Sequence, residues 1–473
     1  MRRYLTLLLL LLAIQLAAYM PAEEIRSIWV LPWNISNKES VDTFLARASE
    51  ARQTDIFIEV RYRADALYKT NRVEDEFPNP EPQSSVLNGS GFDPLGYALV
   101  EAHKRNMRVH AWFVVYNSTP VDSTLMARNY IYKNHNDWIT FNQKLLRDNP
   151  GKNSGHFVDP GLPEVRRYLL DVLGDLLSGY PQLDGLHLDY VRYPSSTLGY
   201  HPISVSRFNS VKEILELNWN TWKTLQVTTF VEQAGELARR LVPGITISAA
   251  VLADYQEALK YNAQNWPDWL ARGLVDFVVP MAYQQNTGDF ERILDKIGDL
   301  GFKDRIVIGI RAWNDNGNSL AAKTYRGSYD VRDVADRISQ VRKLGFAGVS
   351  LFSYEGLSRD NALSQLAELA FPAGIDTASV SGASISVFPE GSTYHMELQI
   401  PREGRWMVEL RNSTGEKLYQ SKRYYLEGLN RDYWNGILAN GTQIPPGDYQ
   451  LMLFLPKYVL EYQTPVTLTE LKS

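Results

Sequence analysis

The chain has 473 residues, 44% of them apolar and 22% charged, with 31 glycines and 23 prolines; this excludes a disordered, collagen-like or coiled-coil chain and leaves room for a large α/β barrel with an appended domain. The formal charge of −5 comes without any Lys/Arg-rich block, so a phosphate-neutralising surface, and with it nucleic acid as a partner, is not expected. With no cysteine, structural disulfides, thiolate nucleophiles and Cys-ligated metals are excluded.

The chain opens MRRYLTLLLLLLAIQLAA, where Arg2 and Arg3 precede an apolar run and then small residues. This is the pattern of a secretory signal peptide over residues 1–22, with an uncleaved anchor as the alternative. A periplasmic or secreted location is the expectation.

From Ile25 onward, short hydrophobic runs alternate with helical patterns, as in repeated βα units. Eight strand candidates are SIWVLPW (27–33), DIFIEVRY (55–62), RVHAWFVVY (108–116), LDGLHLDYVRY (183–193), ITISAAVLAD (245–254), VDFVVPMAY (275–283), RIVIGIRAW (305–313) and AGVSLFSYE (347–355). Helical segments are expected at 94–106, 163–179 and 330–344, among others. Eight units over residues 23–372 predict a (β/α)8 TIM barrel with enlarged loops. After Phe371 the pattern changes to period-two runs separated by turns such as PREGR and NSTGEK. Residues 373–473 are therefore expected to form an antiparallel β-sandwich.

In a barrel the C-terminal strand ends meet at one mouth, so Glu59, Arg61, Trp112, Asp189, Tyr190, Arg192, Asp254, Met281, Tyr283, Arg311, Trp313 and Glu355 are expected to approach one cleft. The densest polar cluster is HLDYVRYP at 187–194. Strand alternation sends His187 and Asp189 to the same side, and a carboxylate inside a barrel is costly without a purpose or a partner. Asp189 is the candidate nucleophile or general base at an anomeric centre, with Arg192 beside it; an Asp189–Arg192 ion pair tying strand to loop is the plainer alternative. Glycoside hydrolysis normally needs a second carboxyl, roughly 5–9.5 Å away. Glu355 is the first candidate, Asp254 the second and Glu59 the third; for each, a carboxylate that fixes a loop is the alternative.

Tyr190, Tyr193, Tyr283, Gln284, Trp112, Trp313 and Trp33 are candidates for lining sugar subsites by stacking and hydrogen bonding, and the 27 tyrosines and 11 tryptophans of the chain lend this weak support. Arg61, Arg192 and Arg311 are candidates for binding sugar carboxylates, or else for pairing with acidic loops. No His/Cys ligand spacing, GxGxxG or GxxxxGK motif occurs, so neither a metal site nor a nucleotide or flavin cofactor is expected.

These same stretches carry a resemblance. SIWV, VRYRADALY (60–68), FDPLGYALVEAHKRNMRVHAWF (92–113), GLHLDYVRYP (185–194), WPDWLARGLVDFVVPMAYQ (266–284) and VSLFSYEGL (349–357) are similar to the bacterial glycosyl-hydrolase-like barrel family, of the GHL10 type, to which a divisome-localised hydrolase is related. The resemblance spans residues 25–371 and implies cleavage of glycan strands, with peptidoglycan lacking stem peptides as substrate and β-1,4 linkages between N-acetylmuramic acid and N-acetylglucosamine as the target. It implies that Arg61, Arg192 and Arg311 meet lactyl carboxylates. Where the family pattern carries Gln, this chain has Glu59, which leaves the acid/base residue open. Hydrolysis of another exopolysaccharide and a non-catalytic carbohydrate-binding barrel are the competing readings. The segment YWNGILANGTQIPPGDYQLMLF resembles the immunoglobulin-like domain of flagellar hook-capping proteins, which implies a spacer or a contact with protein or cell wall.

Overall fold

The computed structural model describes residues 24–371 apart from 74–75, 88, 148–154 and 315–328, and residues 384–471 apart from 401–403, 415, 427, 439–440 and 456–459. The proposed signal peptide and the Phe371–Gly374 junction beyond Phe371 lie outside them. No helix among the described residues is long and apolar enough to cross a membrane. The chain divides into two compact units at residues 364/365.

The first unit is a closed barrel of eight parallel strands: β1 (Ile25–Val30), β2 (Asp55–Tyr62), β3 (Arg108–Val114), β4 (Gly185–Asp189), β5 (Thr246–Leu252), β6 (Phe277–Met281), β7 (Val307–Arg311) and β8 (Gly348–Phe352). Neighbours pair in chain order, and β1 closes the ring by pairing with both β2 and β8, Ile28 lying opposite Ile56 on one side and Leu351 on the other. The helices start where the chain supplies caps: Asn37 and Ser40 form a reciprocal box at α1 (Lys38–Glu50), Asp93 caps α2 (Pro94–His103) with proline in the first turn, and α3 (Pro163–Gly179) also opens on proline.

The inward residues form layers. At the bottom, Asp55 takes Arg108 at 2.7 Å and His110 at 2.8 Å. Although burial pushes its carboxyl up, these two partners hold it well below the usual range. Gly185 is required beside this layer, because a Cβ there would lie 1.9 Å from His110 Nδ1. One layer higher, His187 stacks on Phe57 at 4.1 Å, accepts from the Trp29 indole at 3.1 Å and meets Ser248 Oγ at 2.8 Å. Burial pushes its pKa well down, so the ring is neutral, with Nε2 as acceptor and the proton on Nδ1. The strand ends above this layer carry the mouth.

The second unit has two antiparallel sheets. One orders β9 (Ser384–Glu390), β10 (Thr393–Ile400) and β13 (Gly428–Trp434); the other orders β12 (Lys417–Tyr425), β11 (Gly404–Arg411), β14 (Gly447–Leu455) and β15 (Leu460–Leu468). One core joins Tyr394, Met396 and Leu398 of the first sheet to Trp406, Val408, Leu451 and Leu453 of the second, so the sheets pack face to face. Strands β13 and β15 escaped the sequence reading. In β13 the inward Asp432 is buried and held by the Tyr425 hydroxyl at 2.6 Å and Arg423 at 2.8 Å, which reverses the apolar-in pattern. Pro465 breaks the pattern in β15, and this is tolerated because β15 is an edge strand.

Candidate active site

Strand β4 ends at Asp189 because Tyr190 adopts φ +51, a left-handed conformation that is strained for a side-chain-bearing residue. The turn aims the Tyr190 amide at Asp189 Oδ1, 2.6 Å away. From β3, the Trp112 indole donates to Asp189 Oδ2 at 3.0 Å. Asp189 is buried, and burial raises its pKa, opposed by the Tyr190 amide, the Arg192 charge and the Trp112 hydrogen bond. The Arg192 guanidinium sits over the Tyr190 ring, 5.0 Å from its centre.

A cavity of about 140 Å³ opens at this point, bounded by Asp189, Tyr190 and Arg192 on one side and by Met281, Tyr283 and Phe352 on the other, with Trp29 and Ala250 also in its wall. Phe352 organises the aromatic wall: its ring centre lies 5.6 Å from Trp29, 6.1 Å from Trp112, 5.7 Å from Tyr283 and 5.9 Å from Trp313. Neither Phe352 nor Trp29 was singled out in the sequence, where both read as ordinary apolar strand residues.

The Asp189 charge acts on a second buried carboxyl, Glu59. A bulge in β2 places Glu59 opposite Trp112 and Arg61 opposite Phe113. Opposed residues of parallel strands share a face, so Glu59 shares the inward face with Trp112 while the extra residue re-aims Arg61. Glu59 is buried, and no described protein group donates to its Oε2. Burial, and then the Asp189 charge, push it well above the usual carboxylate range, with Arg63 pulling the other way.

Several expected contributors stand elsewhere. Arg61 is fully buried, with its guanidinium occupied by Glu81 at 2.6–3.0 Å and by the carbonyls of Val114 and Val115; it is a structural clamp and presents nothing to a substrate carboxylate. Asp254 caps the helix Tyr255–Asn262 and holds Lys296 at 2.7 Å. Partial burial raises its pKa, but Lys296 and the capped amides bring it below the usual value, so it is a committed ion, unsuited to donating a proton. Glu355 accepts from Trp33 at 2.6 Å and Asn34 at 3.2 Å and pairs with Arg359 at 3.8 Å; this ties β8 to the β1 loop, and Glu355, like Glu59, is not among the residues of the cavity wall.

Tyr193 is fully buried beneath Lys223, whose ammonium lies 5.1 Å from its ring centre, and cannot stack on a sugar. Arg311 is buried with its guanidinium 4.0 Å from the Tyr329 ring centre, and the backbone carbonyl of Gln284 accepts from Arg337 at 2.8 Å while its side-chain oxygen is buried; neither residue lines the cavity. Trp313 remains at the mouth, edge-on to Tyr283 at 5.4 Å. No group of three or more His, Cys, Asp or Glu side chains suited to a metal occurs among the described residues.

The model of the family Glycosyl hydrolase-like 10 matches residues 24–311, more than half of the chain. Glycosyl hydrolase YngK of Bacillus subtilis (strain 168) is 21% identical over 294 residues, 55% of this chain and 54% of that protein. Glycosyl hydrolase DigH of Escherichia coli (strain K12) is 28% identical over 261 residues, 48% of this chain and 54% of that protein. The chain thus spans about half the length of the curated relatives it matches. Among solved structures, the glycoside hydrolase domain of PgaB (BpsB) from Bordetella bronchiseptica superposes with TM-score 0.54 at 13% identity, covering 74% of this chain and 99% of that one. The GH42 β-galactosidase Gan42B from G. stearothermophilus gives 0.51 at 11% identity, over 74% and 56% respectively. These likenesses show the barrel fold.

Proposed function

The chain belongs to the Glycosyl hydrolase-like 10 family, and from that premise we propose that it is an exported glycoside hydrolase that uses Glu59 as general acid and Asp189 as nucleophile or base. One observation carries the reading: Asp189 and Glu59 are two buried carboxyls at C-terminal strand ends, the Asp189 charge acts on Glu59, and their hydrogen-bond surroundings differ. Asp189 has two N–H donors and a guanidinium that favour its ionised form against the burial that raises its pKa, whereas burial and the Asp189 charge both favour the protonated form of Glu59. Carboxyl groups pushed apart in this way divide the acid and base roles. In the reaction the Glu59 proton passes to the leaving glycosidic oxygen as its bond to the anomeric carbon breaks. Asp189 attacks that carbon or activates the water that does, and water supplies the hydroxyl that ends on it.

The proposed substrate is the β-1,4-linked glycan of peptidoglycan freed of stem peptides. Support comes from the family, from the signal-like N-terminus and from Arg192, a cation in the cavity wall suited to a lactyl carboxylate. Tyr283, Trp313 and Phe352 offer apolar faces for acetamido sugars. The test is mass spectrometry of products from peptide-free strands, intact sacculi and a neutral β-glucan. Saccharide fragments from the peptide-free strands that vanish in both Asp189→Asn and Glu59→Gln support the reading. Absence of fragments from all three substrates, or fragments that persist in both variants, refutes it.

A further inference from the structure

A larger cavity, of about 460 Å³, lies outside the catalytic mouth. Its walls come from the connection between β2 and α2, from Trp138 in the connection between β3 and α3, and from α3. Both connections leave the C-terminal strand ends, the same end of the barrel that carries Glu59 and Asp189. On α3, Glu164, Arg167, Tyr168 and Asp171 line the cavity; their spacing of three and four residues puts them on one helix face.

The groove is built in advance. Asn71 and Asn79 hold each other through side chain and backbone at 2.9 and 3.0 Å, and Asp175 fixes both, at 2.6 and 2.9 Å. Trp138 is backed by His135, stacked at 3.8 Å, and meets Tyr168 edge-on at 5.3 Å. The Tyr168 hydroxyl donates to Glu81 at 2.8 Å, and Glu81 clamps Arg61 two residues beyond Glu59. This half-buried aromatic wall is thereby tied to the strand that carries the proposed acid.

We propose that this groove is a second glycan-binding site that holds the polysaccharide beside the catalytic mouth. Aromatic rings beside carboxylate, guanidinium and amide groups match a sugar, whose C–H face stacks while its hydroxyls bridge to polar side chains. The identity of the sugar, though not the existence of the site, rests on the hydrolase reading above.

The test measures retention of the full-length Asp189→Asn protein on immobilised peptide-free peptidoglycan strands, alone and with Trp138→Ala or Arg167→Ala added. Loss of the stacking surface is expected to weaken retention about tenfold, and loss of the exposed guanidinium by a smaller factor. Because Trp138 packs on two rings, Arg167→Ala decides the matter if Trp138→Ala fails to fold. Retention equal to the parent in the folded variants, or no retention by the parent, overturns the proposal. A polyproline peptide that binds in a Trp138-dependent way while the glycan does not also overturns it. Wild-type turnover is assayed separately: Trp138-dependent retention without products leaves this site standing and refutes the hydrolase, whereas products with Trp138-independent retention do the reverse.

Discussion

The Trp112 indole donates to Asp189 Oδ2 at 3.0 Å, joining adjacent strands at the rim of the barrel. A donor to a carboxylate stabilises the ionised form, so this bond lowers the Asp189 pKa against the burial that raises it. Trp112→Phe keeps an aromatic ring and removes the donor. The acidic limb of the pH–activity profile is expected to move to higher pH, with turnover at the optimum down by about tenfold; an unmoved limb would detach Asp189 ionisation from activity.

Glu59→Gln is expected to lower kcat on natural glycan by about 10²- to 10⁴-fold, the usual worth of a general acid. An aryl glycoside with an acidic phenol leaving group needs no proton and should recover most of that rate, and the alkaline limb of the profile should vanish. Comparable losses on both substrates would deny Glu59 the acid role.

Glu59 also bears on stability. Its folded pKa is raised by burial and by Asp189, so above the unfolded carboxyl pKa the native state binds a proton that the unfolded chain has released, and stability falls as pH rises toward the folded value. Glu59→Gln removes this penalty and is expected to stabilise the protein at neutral pH by about 1–3 kcal/mol, with the gain disappearing below pH ~4. Thermal melts at pH 4 and pH 7.5 measure both arms.

Asp55 has the opposite sign. Burial raises it, but His110 and Arg108 hold it well below the ordinary carboxylate value, so its contribution is present above the unfolded pKa and is lost as pH falls through the folded one. Asp55→Asn leaves Arg108 and His110 without their anion and is expected to cost about 3–5 kcal/mol at pH 7. Denaturant midpoints compared at pH 7 and pH 3 should show the cost shrinking in acid.

Asp254→Asn tests the rejected assignment. The substitution weakens a helix cap and the pair with Lys296, so a loss of about 1 kcal/mol in stability is expected, with turnover within about twofold of wild type; a 10²-fold loss would return Asp254 to the chemistry.

The eight strands, the barrel, the period-two segment after it and the place of Asp189 at a strand end were legible in the sequence because each rests on local periodicity or on one polar residue in an apolar strand. The surroundings of the other candidate carboxyls were not. Glu355, Asp254 and Glu59 all lie at or near strand ends, and what separates them is non-local: Asp254 meets a lysine 42 residues away, Glu355 is bound by Trp33 across the β1–β8 rim, and Glu59 shares its burial with Asp189. Of the two alternatives for Arg61 the structure gives the acidic loop, because one bulge in β2, invisible to a period-two count, sends it to Glu81. Local pattern determines which face of which strand is buried. A carboxyl's charge state depends on which groups from distant segments are brought within a few ångströms of it, and only the closed barrel decides that.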